Sequence, residues 1–231
     1  MAPRPAVVAS LPRILQALEQ RYGRPQPPRV TDPFEQALWE NIAYLATDEK
    51  RTMVFAALRQ RIGTRPQQIL KATDEELLAV TRLAGTMPEL AVRKLRQCAE
   101  VAHFLFQGDT RAQLRLPFQQ ARQAMRKFPS IGEPGAEKIL LFAGAYPVLA
   151  LDSNALRVLQ RLGYGEARKG YAASYRATQA AVGSQVGQDC TSLMRAHQLL
   201  RQHGKETCKR TRPLCHDCPL SPSCRYFRSQ S

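Results

Sequence analysis

The residues KFPSIGEPGAEKILLFAGAYPVLALDSNALRVLQR, numbered 127–161, decide how the rest of the chain is interpreted. The pattern predicts that a helix ends near Lys127 and that a tight turn follows at 129–132. A second helix then begins, and Pro134 suits its first turn because the missing N–H would have no partner there. Asp152 comes later and precedes a third, apolar helix.

Two helices joined by such a turn form a recognised way of binding a phosphate backbone. Gly132 lets the main chain come close to a phosphate, and the N–H groups at the start of the second helix then face it. The dipole of that helix favours the negative charge. The stretch therefore predicts a contact between the turn and a nucleic-acid backbone.

Composition points to the same class of partner. The 231 residues include 34 Lys and Arg against 19 Asp and Glu, which gives a formal net charge of +15. A charge of this size favours a polyanion as partner, although a merely soluble basic surface would give the same count. The hydrophobic fraction of 44% is sufficient for a buried core.

No segment of the sequence indicates a membrane protein or a secreted one. The longest nearly apolar run, 139–151, contains Gly144 and Pro147 and is too short to span a bilayer. No convincing signal peptide is present. We expect a protein that is cytoplasmic and nucleoid-associated in a bacterium, or otherwise intracellular, where cysteines bind metals or remain thiols.

Hydrophobic periodicity predicts helices along most of the chain and no convincing strand. The expected fold class is all-α. A proline-rich linker at 24–33 follows the first helix, and a strong helix starts at Asp32-Pro33.

The helix order and the motifs together resemble the endonuclease III superfamily of DNA glycosylases over about residues 10–227. In that family a motif of the type LPGVGxxTA precedes VDTHxxRV; here the matching residues are FPSIGEPGA at 128–136 and LDSNALRV at 151–158. The resemblance implies a six-helix domain with the helix-hairpin-helix at 32–146. It implies a second domain, formed by 9–31 with 147–231, and DNA in a groove between the two.

The resemblance also implies roles for individual residues. The catalytic aspartate of the family corresponds to Asp152, whose alternative role is a helix N-cap. The Schiff-base lysine corresponds to Pro134, which cannot attack a sugar. We therefore expect a monofunctional glycosylase that uses water, with AP-lyase activity absent or weak. Lys138 lies one turn further along and could reach the site, or it could simply be solvated or face a phosphate.

The family's base pocket and wedge correspond to other positions here. The glutamate of the adenine-specific branch falls on Asn41, with Glu40 beside it, which makes adenine removal doubtful. The candidates for the pocket and wedge are Asn41, Tyr44, Leu45 and, in a separate loop, Met87. Ordinary helix packing explains each of them equally well. The expected contacts to the DNA backbone are Ser130, where glycine is usual, Gly132, Gly135, Lys209 and Arg210.

Four cysteines near the C-terminus follow a C-x6-C-x2-C-x5-C pattern: Cys208, Cys215, Cys218 and Cys224. Four thiolates in one loop suit an Fe–S cluster or a zinc ion. The resemblance implies a 4Fe–4S cluster, because the family has this spacing. Cys98 and Cys190 lie in predicted helices and are expected to be buried apolar residues.

The sequence thus predicts a DNA repair enzyme of base excision that acts on double-stranded DNA as a monomer, without a membrane. The base that it removes cannot be identified from the sequence. Two alternatives remain: a non-catalytic DNA-binding or lesion-recognition protein of the same fold, and a zinc-containing DNA-binding regulator.

Overall fold

The structure is a computed structural model that describes residues 10–230, apart from the side chain of Ser184. Within these residues every regular element is a helix, so the predicted all-α class is confirmed. Two compact units are present, and their boundaries fall at Pro27–Pro28 and Tyr146–Pro147. The first boundary lies before the predicted residue 32, and residue 9, the predicted start of the other domain, is outside the described residues.

The central unit, residues 28–146, contains seven α-helices, whereas the resemblance implies six. The number differs because the short helix Pro66–Lys71 is separate from its neighbours. Numbered from the start of the chain, where α1 belongs to the other unit, they are α2 (Pro33–Asn41), α3 (Asp48–Arg61), α4 (Pro66–Lys71), α5 (Asp74–Thr81), α6 (Pro88–Glu100), α7 (Phe118–Met125) and α8 (Glu133–Phe142). A π-helical turn at Val101–Leu105 and 3₁₀ turns at Arg82–Ala84 and Arg111–Arg115 complete it.

Short polar residues determine where several of these helices begin. The Asp32 side chain accepts hydrogen bonds from two backbone N–H groups in the first turn of α2. Thr47 caps α3, and Thr73 forms a reciprocal capping box with Glu76 in α5. Such caps satisfy N–H groups that a helix leaves unpaired, so these starts follow directly from the local sequence.

One apolar core holds the central unit together. Its largest buried side chains come from the hydrophobic stripes of α2, α3, α5, α6 and α8 and from the turn after α7: Phe34, Leu38, Ile42, Leu58, Leu77, Leu95, Phe128 and Leu140. Burying a side chain of this size stabilises a fold by about 1.5–3 kcal/mol. The turn of the hairpin is thereby fixed to the core through Phe128.

The second unit consists of the described residues before 28 and after 146. Its helices are α1 (Leu11–Tyr22), α9 (Ser153–Leu162), α10 (Tyr171–Val182), α11 (Cys190–Glu206) and α12 (Arg225–Arg228), with 3₁₀ turns at Gly183–Gln185 and Ser221–Ser223. The long helix α11 packs against both α9 and α1. The apolar faces of these three helices form the core of the unit.

Of the helices in the described residues, none combines the length and the apolar composition that crossing a membrane requires.

Candidate functional site

The turn between α7 and α8 has a strained backbone at one residue. Ser130 has φ of +60°, a left-handed conformation that glycine adopts more easily. The Ile131 N–H donates to the Phe128 carbonyl over 3.3 Å, and the Asn41 side-chain amide donates to the Pro129 carbonyl over 2.9 Å. These bonds hold the turn in place and leave Gly132 at the start of α8.

Gly132 is the N-cap of α8, and no side chain there caps the helix. Its φ of −82° is ordinary, and a Cβ at this position would meet only the Pro134 ring, at 3.9 Å. The space in front of the helix start is therefore open because of the glycine. At Gly135 a Cβ would touch Ile131 at 3.4 Å, so that glycine sits against its own turn.

Two acidic residues lie at this helix start, and one arginine that contacts both offsets one of their two negative charges. Arg122 donates to Glu133 and to Glu137, each over 2.8 Å, and Glu137 is almost fully buried. A bridge of this kind holds α7 to α8 and removes much of the negative charge that would oppose a phosphate.

Lys138 and Glu40, both considered from sequence as alternative participants, form an ion pair with each other. Both side chains are about three-quarters buried. An amine held in a partly buried pair must be released before it can attack a carbon atom. Pro134 itself supplies no amine and the one lysine of α8 is held in an ion pair, so the helix offers no unpaired amine in this conformation.

Two loops of the central unit present exposed apolar side chains. Leu45 is 81% exposed and Met87 is 54% exposed, and both have positive φ, +53° and +47°. The Thr86 hydroxyl donates to the Tyr44 carbonyl and so links the loops. Tyr44 is also exposed, and the Lys94 ammonium lies 5.5 Å from its ring centroid.

Asn41, another pocket candidate, is 3% exposed. Its amide nitrogen is used within the protein, on the Ala37 carbonyl over 2.9 Å and on the Pro129 carbonyl of the hairpin. Its Oδ1 atom is buried without a hydrogen-bond partner among the described residues. The structure thus gives Asn41 a tethering role, and its contact with a base stays a prediction.

Asp152 begins α9 in the second unit and caps it. Its Oδ1 accepts from the backbone N–H groups of Asn154 over 3.0 Å and Ala155 over 2.8 Å. Its Oδ2 accepts from the Asn154 side-chain amide over 3.1 Å and lies 3.3 Å from Nε of Arg201 on α11. The capping role weighed from sequence is therefore real, and the side chain keeps about a quarter of its surface exposed.

A broad basic depression lies beside this helix start. Six of its lining residues come from α9, α10, α11 and the loop after α11: Ser153, Asn154, Tyr171, Lys205, Lys209 and Arg210. Tyr171 is 47% exposed, and burial raises its pKa, with the nearby Asp152 charge as a smaller cause. Sequence reasoning identified Lys209 and Arg210 but missed Tyr171 and Lys205.

The four C-terminal cysteines line one apolar pocket, whose walls include Leu162, Pro213 and Phe227. Burial first, and the charges of the other three cysteines to a smaller extent, raise the pKa of the Cys218 thiol to about 11. The pKa of Cys215 is also raised, by burial first and then by Cys208 and Cys224. No group of three or more His, Cys, Asp or Glu within residues 10–230 is already arranged to hold a metal ion.

Two side chains brace this pocket. Nη1 of Arg161, on α9, lies 3.3 Å from Sγ of Cys208, and its guanidinium stacks 4.4 Å from the Tyr226 ring centroid. Sγ of Cys218 lies 3.5 Å from Nε2 of His203, whose pKa burial lowers to about 4. His203 is therefore neutral at pH 7 and adds no charge to the pocket.

Comparison with known proteins gives related sequences of nearly the same length. The chain is similar to endonuclease III of Sulfolobus acidocaldarius, with 25% identity over 183 residues, 79% of this chain and 77% of that protein. It is similar to endonuclease III of Thermotoga maritima, with 24% identity over 204 residues, 88% of each. No protein-family model matches the chain.

The fold is shared with a solved structure described as a trapped endonuclease III–DNA covalent intermediate. The TM-score is 0.73 at 19% sequence identity, over 97% of this chain and 98% of the other. At this identity the likeness concerns the arrangement of the helices.

Proposed function

We propose, because the chain belongs to the endonuclease III-like superfamily of helix-hairpin-helix DNA glycosylases, that it excises altered or mismatched bases from double-stranded DNA. The observation that carries the proposal is the carboxylate of Asp152, fixed at the start of α9 beside a basic depression. A glycosylase turns a nucleotide out of the duplex and breaks the bond between base and sugar. The sugar becomes positively charged as the base leaves.

Asp152 would stabilise this charge or activate the attacking water. Oδ1 accepts the two backbone hydrogen bonds of the helix cap, whereas the contacts of Oδ2 with Asn154 and Arg201 are made by side chains, which can move; we therefore assign Oδ2 to the reaction. Lys209 and Arg210 on the rim of the depression would hold the phosphates of the strand, as would the open turn at Gly132 in the other unit.

We propose that the enzyme is monofunctional. A lyase reaction needs an amine that forms an imine with the sugar. The position for this amine holds Pro134, and the nearest lysine on the same helix, Lys138, is paired with Glu40. Hydrolysis should therefore leave an abasic strand that remains intact.

Leu45 and Met87 are the proposed wedges. An apolar side chain inserted between base steps opens the duplex and kinks it, and both residues have the required exposure. Tyr44 lies next to Leu45 and could stack on a neighbouring base.

We also propose that Cys208, Cys215, Cys218 and Cys224 hold a 4Fe–4S cluster. The donor set fits, because four thiols line one apolar pocket, and the neighbouring cysteines contribute to the raised pKa of Cys215 and of Cys218. Bound iron would supply the positive charge that stabilises four thiolates together, and so hold the loop that carries Lys209 and Arg210. The wider interval of x6 and x5 around a single C-x2-C speaks against zinc.

A panel of duplexes tests the function. Each duplex carries one altered or mismatched base, is incubated with the protein and is then divided between hot alkali and neutral buffer. We expect one or more duplexes to break only after alkali, and no adduct to be trapped by borohydride. If no base on a broad panel is excised, the non-catalytic DNA-binding alternative replaces this proposal.

A further inference from the structure

The ion pair between Asp152 and Arg201 is a feature that the family motif does not predict. The two residues lie 3.3 Å apart, Oδ2 to Nε, on helices α9 and α11. Their side chains are 28% and 33% exposed, so the pair is partly screened from water. We propose that Arg201 is a positioning residue for Asp152: it offsets the carboxylate charge so that the anion remains in place when DNA phosphates surround it. This inference rests on the proposed function.

The surroundings of Asp152 explain why such a partner is needed. The depression next to it gathers the cations of Lys205, Lys209 and Arg210, which attract phosphates. Phosphates bound there repel a carboxylate at the start of α9, and this repulsion opposes DNA binding. A guanidinium on Oδ2 reduces the repulsion.

Two other residues near Asp152, Arg157 and Tyr171, do not fill this role. Arg157, on the same helix, is held elsewhere: its guanidinium donates to the Cys208 carbonyl over 2.9 Å and to the Gly204 carbonyl over 2.7 Å. It also donates to Oδ1 of Asn154 over 2.9 Å, and so orients the amide that contacts Oδ2. Tyr171, on α10, has a raised pKa and is neutral at pH 7.

Arg201 also lies on the side of α11 that meets DNA in this proposal. Lys205 is four residues further along the helix and therefore on the same face. One helix face thus supplies a cation for a phosphate and a cation for the carboxylate. The Lys205 cation favours binding of the strand, and the Arg201 cation reduces the repulsion between that strand and the Asp152 carboxylate.

A double-mutant cycle on DNA affinity tests the proposal without requiring catalysis. The four proteins are the unmodified chain, Asp152→Asn, Arg201→Gln and the double variant, and the measurement is Kd for an undamaged duplex. We expect Arg201→Gln to weaken binding about 10-fold when Asp152 is present and about 3-fold in the Asp152→Asn background. Equal effects in the two backgrounds would overturn the proposal.

Arg195→Gln is the matched control. Arg195 lies on the same helix and pairs with Glu19, so its replacement removes one charge away from Asp152. Its effect on Kd should be the same with and without Asp152→Asn.

The second readout is the single-turnover rate of base excision with protein in excess. We expect Arg201→Gln to lower this rate about 10-fold and Arg201→Lys to restore most of it, because a cation returns to the same place. A rate that falls equally in both variants, together with a lowered melting temperature, would mean that Arg201 only supports packing, and the proposal would be wrong. Failure of the unmodified protein to excise any base would count against the proposed function alone, since the affinity cycle still reports on Arg201.

Discussion

The helices α8 and α9 begin in opposite ways. α8 begins at a glycine that provides no side-chain cap, and its second residue is Pro134. α9 begins at Asp152, whose side chain accepts hydrogen bonds from two backbone N–H groups and forms an ion pair with Arg201. The first start offers an open backbone to an anion, and the second offers a fixed carboxylate. Under the proposed function, the difference teaches that backbone binding and chemistry belong to separate helix starts, and that only the start proposed for binding lacks a residue of the family motif.

The sharpest test of this division is Asp152→Asn. Asparagine still caps a helix, so the fold and the basic surface should remain. We expect the rate of base excision to fall at least about 10³-fold, because the carboxylate charge is lost. Affinity for duplex DNA should change by less than about 3-fold. Full activity of the variant would mean that Asp152 does not take part in the reaction, and the comparison of the two helix starts would then fail.

Arg161, in the last turn of α9, contacts the cysteine loop, and Cys218→Ser tests how much the loop contributes to stability. If the four cysteines bind a cluster, this change removes a ligand and should lower the free energy of unfolding by more than about 3 kcal/mol. The yellow-brown absorption and the iron content should fall with it. Cys190→Ser is the control, because Cys190 lies on α11 and does not line the pocket. A colourless, folded parent protein that contains one zinc ion would contradict the cluster.

Gly132→Val tests the open start of α8. A side chain here has room within the protein, since the nearest atom is 3.9 Å from the Cβ position, but it would stand where the backbone meets a phosphate. We expect affinity for duplex DNA to fall about 10-fold at low salt. The melting temperature should hardly change, and this is the control for folding. Unchanged affinity would mean that the turn does not contact the backbone.

Pro134→Lys tests whether a lysine at the start of α8 can form an imine with the sugar. Lysine is a good helix former, so the backbone should accept it. We expect a small amount of covalent adduct after borohydride treatment with a DNA substrate, against none for the parent protein. Lys138→Gln in the parent should leave the absence of a borohydride-trapped adduct unchanged. Trapping of the parent protein would show that another amine is acting.

The smallest effect should come from Ser130→Gly. The left-handed backbone at Ser130 is strained, and glycine relieves the strain at the cost of a more flexible unfolded chain. We expect the free energy of unfolding to rise by about 0.5 kcal/mol in chemical denaturation. Ser192→Gly, in the regular helix α11, should lower it instead.

Much of the fold could be predicted because its signals are local. Asp32, Thr47 and the acidic turn after Thr73 mark helix starts, and the structure has helices at each. The end of α6 is different, because the regular α-helix ends at Glu100 and continues as a π-helical turn. No residue type in that segment marks such a change.

The site was less predictable, because its contacts join distant parts of the chain. Arg201 is 49 positions from Asp152, and neither residue indicates the other. Glu40 and Lys138 were weighed as separate participants, and their pairing depends on how α2 packs near α8. The linked loops at Leu45 and Met87 depend on one hydroxyl contact that no spacing predicts.

The positive φ angles of Leu45 and Met87 have a consequence for the evolution of this chain. Each bulky residue in a left-handed conformation costs about 1–3 kcal/mol relative to a relaxed one, and each exposes apolar surface to water. Selection for heat resistance or solubility alone would replace both by glycine or by polar residues. Leucine and methionine can persist at these two positions only while selection for a property other than folding maintains them. In laboratory evolution for thermal stability without a DNA substrate, these two codons should therefore be among the first to change.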